Sequence, residues 1–162
     1  DKRCEKTKTG GVLVPDFTGI ASPYWVQPKE TVFYKLNNAM NDEIIRAGME
    51  SIGFFVHDII QTLIKDGFEI TSIQSAGGGA RKPLLQFMAD LLDIPVKWSK
   101  IKDKTASGVF RLLFRKQFGE FPEITHSFQE NFVPKMTSDQ RKEKLEKWEK
   151  ALIVAGVKTG QN

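Results

Sequence analysis

The stretch EITSIQSAGGGARKPLLQFMADLLDIPVKW, residues 69–98, holds the alternation on which the fold turns. Glu69–Gln74 reads as a strand, the glycines after it as a turn, and Lys82–Leu92 as a helix whose Leu84, Phe87, Met88, Leu91 and Leu92 fall on one face. Pro83 stands near the first helical position, where its missing N–H goes unneeded. The unit then repeats as a strand over Pro95–Trp98, a basic turn, and a helix from about Thr105 to Lys116. Strand–helix–strand–helix order predicts an α/β domain with parallel strands and right-handed crossovers.

Within that stretch, Ser75-Ala76-Gly77-Gly78-Gly79-Ala80-Arg81-Lys82-Pro83 asks for a chemical reading. Three successive glycines cost backbone entropy. They also present a backbone without Cβ atoms, which a phosphate or purine can approach, beside the free N–H groups of a helix N-terminus. Arg81 and Lys82 add positive charge, and the carboxyl end of a strand in an open α/β sheet is where ligands bind. A tight strand-to-helix turn uses glycine as well, so the residues alone leave both readings open. The pattern is neither GxxxxGK[ST] nor GxGxxG, so a nucleotide site here needs another fold.

Working outward, residues 1–11 are polar and charged and are expected to fray or serve as a linker, with 158–162 as a tail. Val12-Leu13-Val14 and Val32-Phe33-Tyr34 read as short strands. Between them, Gly19, Pro23 and Pro28 predict an irregular loop pinned by Tyr24 and Trp25. From Asn41 to Lys65 apolar residues recur at three- and four-residue steps, with Asn41 placed to cap the start and Gly67 to stop the end. Gln117–Pro134 reads as a connector, and Ser138–Val154 as a final helix capped by Ser138 or Thr137 and docked by Trp148.

At 162 residues, 40% apolar and 27% charged, the chain is one folded domain rather than a disordered or collagen-like one. No apolar run reaches the roughly 18 residues of a membrane span, and the first residues lack a secretory signal, which predicts a cytoplasmic protein without a membrane partner. The lone Cys4 reads as a bland exposed thiol. Residues 1–80 carry net −2 and residues 81–162 net +6. Seven cations between Lys97 and Lys116 face one acid, Asp103, but aromatic residues do not alternate with them as a stacking platform would require, which argues against nucleic acid.

Neither His57 nor His126 has a second ligand at metal spacing, so no metal site is predicted. Glu50, Asp58, Asp90 and Asp93 lie on or beside helices that read as structural. Asp16 follows a strand, though in that place it is more often a turn residue. No nucleophile–base set can be assembled, and no catalytic residue is predicted in this chain.

Four ordered motifs then carry a family resemblance. Val12–Trp25 resembles the "VPxFTGLxAPYW" segment of glycerol kinases, and Ile45–Ile52 the "IIRAxLESIA" helix after it. Gly77–Gln86 with Ala89–Val96 is similar to "GGGARSPLxxQxxADxLGxPV", a version commoner in pentulose kinases, and Thr105–Gly108 resembles the "TALGAA" helix start. Together they resemble the C-terminal domain of the FGGY carbohydrate kinases, over Gly11 to about Leu113, with residues 12–157 as an incomplete nucleotide-side domain.

The resemblance implies an actin-like, ribonuclease H-like ATPase fold, a mixed sheet flanked by helices, with ATP in a cleft between two such domains. It implies γ-phosphoryl transfer from ATP, with Mg, to glycerol or a related polyol or ketose. Gly77, Gly78, Gly79 and Ala80 then match the segment that holds the phosphates, and Arg81 and Lys82 positions beside the adenosine. The catalytic Asp and most substrate contacts belong upstream, so the chain by itself is predicted inactive. A homo-oligomer is compatible with this reading.

Three departures from the family pattern favour an alternative, a nucleotide-binding or regulatory module without catalysis. Val26–Glu30 stands where Asp-Pro and Arg-Gly are usual, Ser75-Ala76 where glycerol kinases have Asp-Gly, and bulky Val109, Phe110, Leu112 and Phe114 where the family helix has small residues.

Overall fold

A computed structural model describes residues 2–16, 19–28, 30–123 and 127–157. His126 and the 158–162 tail lie outside the described residues. The elements are α1 (Lys2–Lys6), β1 (Val12–Val14), β2 (Val32–Tyr34), α2 (Asn41–Lys65), β3 (Ile73–Ser75), α3 (Lys82–Leu92), β4 (Val96–Ser99), α4 (Lys104–Phe118), β5 (Phe128–Phe132) and α5 (Ser138–Val154).

The expected βαβ unit is present. β3 and β4 pair in parallel, with Ile73 opposite Val96 and Ser75 opposite Trp98, and α3 makes the crossover. The first strand is shorter than its sequence suggests, because Glu69–Ser72 find no neighbour to pair with and only Ile73–Ser75 meet β4. A third strand, β5, runs antiparallel to β4 and makes the sheet mixed, in the order β3-β4-β5. The sequence reads this segment as part of a Gln117–Pro134 connector because of Gly119, Pro122 and Pro134, and it lies at the end of that stretch, away from the first two breakers. β1 and β2 form a separate antiparallel pair.

α3 is the centre of the packing. One face sends Leu85, Met88 and Ala89 onto Val96 and Phe132 of the mixed sheet. The opposite face sends Phe87 and Leu91 into a cluster with Val14, Phe54, Trp148 and Leu152. A helix buried on two sides has to be apolar on both, as α3 is. Trp148 stacks on Phe54 at 4.9 Å between ring centroids and lies edge-on to Phe55 at 4.9 Å. Aromatic pairs of this kind contribute about 0.5–1.5 kcal/mol beyond the area they bury. The docking of the last helix by Trp148 is therefore as the sequence predicts.

Helix ends follow local chemistry. The Thr137 hydroxyl accepts from Gln140 N–H and so caps α5, and Gly67 takes a positive φ of 90° just past α2. α2 differs: its cap residue is Met40 rather than Asn41, and the Glu43 carboxylate accepts from the Met40 N–H.

Two other expectations are corrected. Residues 2–6 form α1 instead of fraying, and Cys4 is buried where α1 packs against α2, whose Arg46 donates to the Cys4 carbonyl. α4, expected to pack as the second crossover helix, contains no buried residue, and Val109, Phe110, Leu112 and Leu113 all face outward. The strand that follows α4, β5, returns antiparallel to β4, so α4 is not a crossover between parallel strands.

Candidate functional site

β3 ends at Ser75 and α3 begins at Lys82, so the glycine run is the turn between them. Gly77 sits at φ 90°, a left-handed conformation that favours glycine, and the Ala80 N–H donates to its carbonyl at 3.3 Å. Gly78 and Gly79 have no such need. A Cβ built at either meets no atom within 4 Å, so neither conformation nor packing among the described residues asks for glycine there. Their exposed backbone is open to an approaching group.

The helix beside them leaves donors available. Arg81, the N-cap residue, has an extended backbone and makes no side-chain cap hydrogen bond, and the first intrahelical bond runs from Leu85 N–H to the Arg81 carbonyl at 2.9 Å. The amides of Lys82 and Leu84 therefore have no intrahelical acceptor, Pro83 has no N–H, and the positive end of the α3 dipole faces the turn. Leu84 is a buried residue, so the exposed donors are those of Lys82 and the open glycine backbone, an arrangement that fits the phosphates of a nucleotide.

The other predicted residues divide. The Ala80 methyl is buried with Leu84 and Leu85 in the core, so only its backbone can serve the turn. Lys82 reaches across to β5, where its ammonium donates to Glu130 at 2.7 Å. That hydrogen bond, and then the carboxylate's charge, hold its pKa above the ordinary lysine value. Arg81 is exposed at the same helix end. Glu130 is the site neighbour that sequence reasoning missed, because it lies on the strand read as a connector.

The acids weighed from sequence all have structural partners. Asp58 accepts from the Tyr24 hydroxyl at 2.8 Å and the Trp148 indole N–H at 2.6 Å, tying the 19–28 loop to α2 and α5. Burial, then the charge of Asp58, pushes the Tyr24 pKa well up. Trp25, expected to pin the same loop, is 76% exposed: it sits at φ 53° in the turn that closes the Ile20–Val26 bridge and points outward. Asp16 accepts from the Gln27 side chain and Asp103 caps α4, so both act in turns. In the basic segment, Arg111 and Arg115 lie over the Phe121 ring at 5.1 and 4.8 Å. The described residues contain no group of three His, Cys, Asp or Glu able to hold a metal, and no helix long and apolar enough to cross a membrane.

Residues 1–116 match the model of the FGGY family of carbohydrate kinases, C-terminal domain. The chain belongs to this family. Two relatives are a glycerol kinase of Coxiella burnetii (strain Dugway 5J108-111), 33% identical over 151 residues, and glycerol kinase 1 of Thermotoga maritima, 34% identical over 151 residues. The matches cover 89% and 88% of this chain, but the chain spans only 30% and 31% of those relatives.

Among solved structures, Plasmodium falciparum glycerol kinase with ADP superposes with a TM-score of 0.75 at 25% identity, covering 98% of this chain and 33% of that one. A ligand-bound xylulose kinase from Lactobacillus acidophilus superposes with a TM-score of 0.74 at 17% identity over 96% of this chain and 33% of that one, a likeness of fold alone. The mixed sheet flanked by helices is thus part of the actin-like ATPase fold that FGGY kinases share, as the resemblance implies.

Proposed function

We propose that this FGGY chain is the nucleotide-side part of an ATP-dependent kinase that phosphorylates glycerol or a related polyol or ketose. The observation that carries the reading is the open backbone at Gly78 and Gly79 beside the uncapped end of α3, in a chain of this family. Supporting it, a related structure was solved with ADP, and the relatives above 30% identity are named glycerol kinases, which makes glycerol the first substrate to try.

In this role Gly77, Gly78 and Gly79 let the phosphates come within hydrogen-bonding distance of the backbone. The Lys82 amide donates to them, and Arg81 and Lys82 offset their charge. ATP with Mg, when bound, supplies the transferable γ-phosphoryl group; the work of these residues is positioning and electrostatic stabilisation. The base and most substrate contacts belong to parts of the longer protein outside this chain.

The test is a titration with MgADP followed through the backbone amide signals of residues 77–82. Saturable shifts centred on that turn are expected. Shifts elsewhere, or none at millimolar ADP in a longer gene product that also fails to phosphorylate glycerol and ketoses, overturn the reading.

A further inference from the structure

We propose that a second cleft, between α2, α5 and the 8–10 segment, binds a small organic dianion, a phosphomonoester or a dicarboxylate. It has a volume of about 520 Å³, within the usual range for small-molecule sites. Its floor is a buried charge cluster. Glu50, only 2% exposed, accepts from Arg46 at 2.7 Å and from Lys144 at 2.7 Å, so the trio keeps one positive charge after the carboxylate is neutralised. A buried carboxylate needs such partners, and here it has one more than its charge requires.

The walls add to the surplus. Lys147 and Glu143 pair at 2.6 Å and cancel. The Asp90 carboxylate accepts from the backbone N–H groups of Lys135 and Met136, which holds the 135–136 segment at the rim. Among the described residues neither Lys8 nor Lys135 has a carboxylate partner, and both are exposed at the mouth. Five cations thus line the cleft against three carboxylates. A surplus of two matches a phosphomonoester, which carries about −1.5 to −2 at neutral pH, and equally a dicarboxylate.

Half-buried Met136 gives this charged space an apolar edge, and Phe87, only 2% exposed, lies beneath it. The Phe87 ring is itself covered by Lys144, whose ammonium lies 5.5 Å from its centroid. A ligand with an anionic head and a short carbon body can satisfy both surfaces, whereas bare phosphate uses only one. The cleft is separate from the glycine turn, yet both border α3: Asp90 stands eight residues beyond Lys82, about 12 Å along the helix axis.

The experiment titrates the protein with inorganic phosphate, glucose 6-phosphate, succinate and neutral glucose, following backbone amides at 8–10 and 135–140. Saturable shifts there with glucose 6-phosphate or succinate, and none with glucose, are expected, and the stronger of the two tells which dianion the site takes. Binding of inorganic phosphate should be weaker. The Lys8→Glu/Lys135→Glu variant should weaken binding by about tenfold while leaving the melting temperature unchanged, since both side chains are exposed. If that variant fails to fold, Lys135→Gln alone should weaken binding about threefold. Non-saturating shifts up to 20-fold molar excess above millimolar protein, affinity indifferent to these substitutions, or shifts confined to residues 77–82 overturn the proposal.

Discussion

A Cβ built at Gly53, in the middle of α2, lies 2.6 Å from a Phe87 ring carbon, whereas one built at Gly78 or Gly79 meets nothing within 4 Å. At Gly53 the glycine is where α2 and α3 touch, and its missing side chain is filled by the partner helix. At the turn the space is left unfilled by the chain itself. Glycine in the first place serves packing; in the second, the proposed function gives it access to a ligand. Open space alone does not mark a site, since Gly48 and Gly108 are equally clear; the proposed nucleotide contact rests on the place of Gly78 and Gly79 in the turn that leads into α3, while Gly77, at φ 90°, also answers to conformation.

The largest effect should come from filling the packed position. Gly53→Val forces the Phe87 ring aside and should cost about 1–3 kcal/mol of folding stability, seen as a lower denaturant midpoint, with the nucleotide affinity of the folded fraction unchanged. A variant as stable as the parent would mean that the helix contact is looser than the geometry shows.

Filling the open position should do the reverse. Gly78→Val should leave stability within about 0.5 kcal/mol and weaken MgADP binding at least about tenfold, measured by calorimetry. Equal binding would remove the turn from the site.

The packed side also carries a pH signature. Tyr24 donates to Asp58, and its native pKa lies above the ordinary phenol value near 10. The unfolded chain therefore loses the proton first as pH rises, so this contribution is whole below about pH 10 and declines above it. Tyr24→Phe should lower neutral-pH stability by about 1 kcal/mol and flatten the alkaline decline, as read from melts between pH 8 and 11. The smallest effect belongs to the open side: Glu130→Gln releases Lys82 and should raise MgADP affinity about two- to threefold, an increase that salt erases.

Much of the fold is legible in the sequence where local pattern and packing agree. α2, α5, β1 and β2 have the limits their periodicity, turn residues and short apolar runs predict. Where burial is decided by distant partners the pattern misleads. β5 has polar Gln129, Glu130 and Asn131 and exists because β4 offers it an edge. α1, at five residues, is too short to hold by propensity and rests on α2 through Arg46. α4 has the apolar residues of a packed helix and none is buried.

By itself the sequence determined the α/β alternation, the family and the glycine turn, because these depend on residue type and spacing over at most a few tens of positions. Only the tertiary structure decided which glycines are filled and which are open, that Lys82 meets Glu130, and that Glu50 gathers Arg46 and Lys144 at the floor of a cleft. Each of those depends on side chains brought together by the fold, and Lys144 comes to Glu50 from 94 residues away. Packing and charge pairing act through space, so residue order alone does not show them.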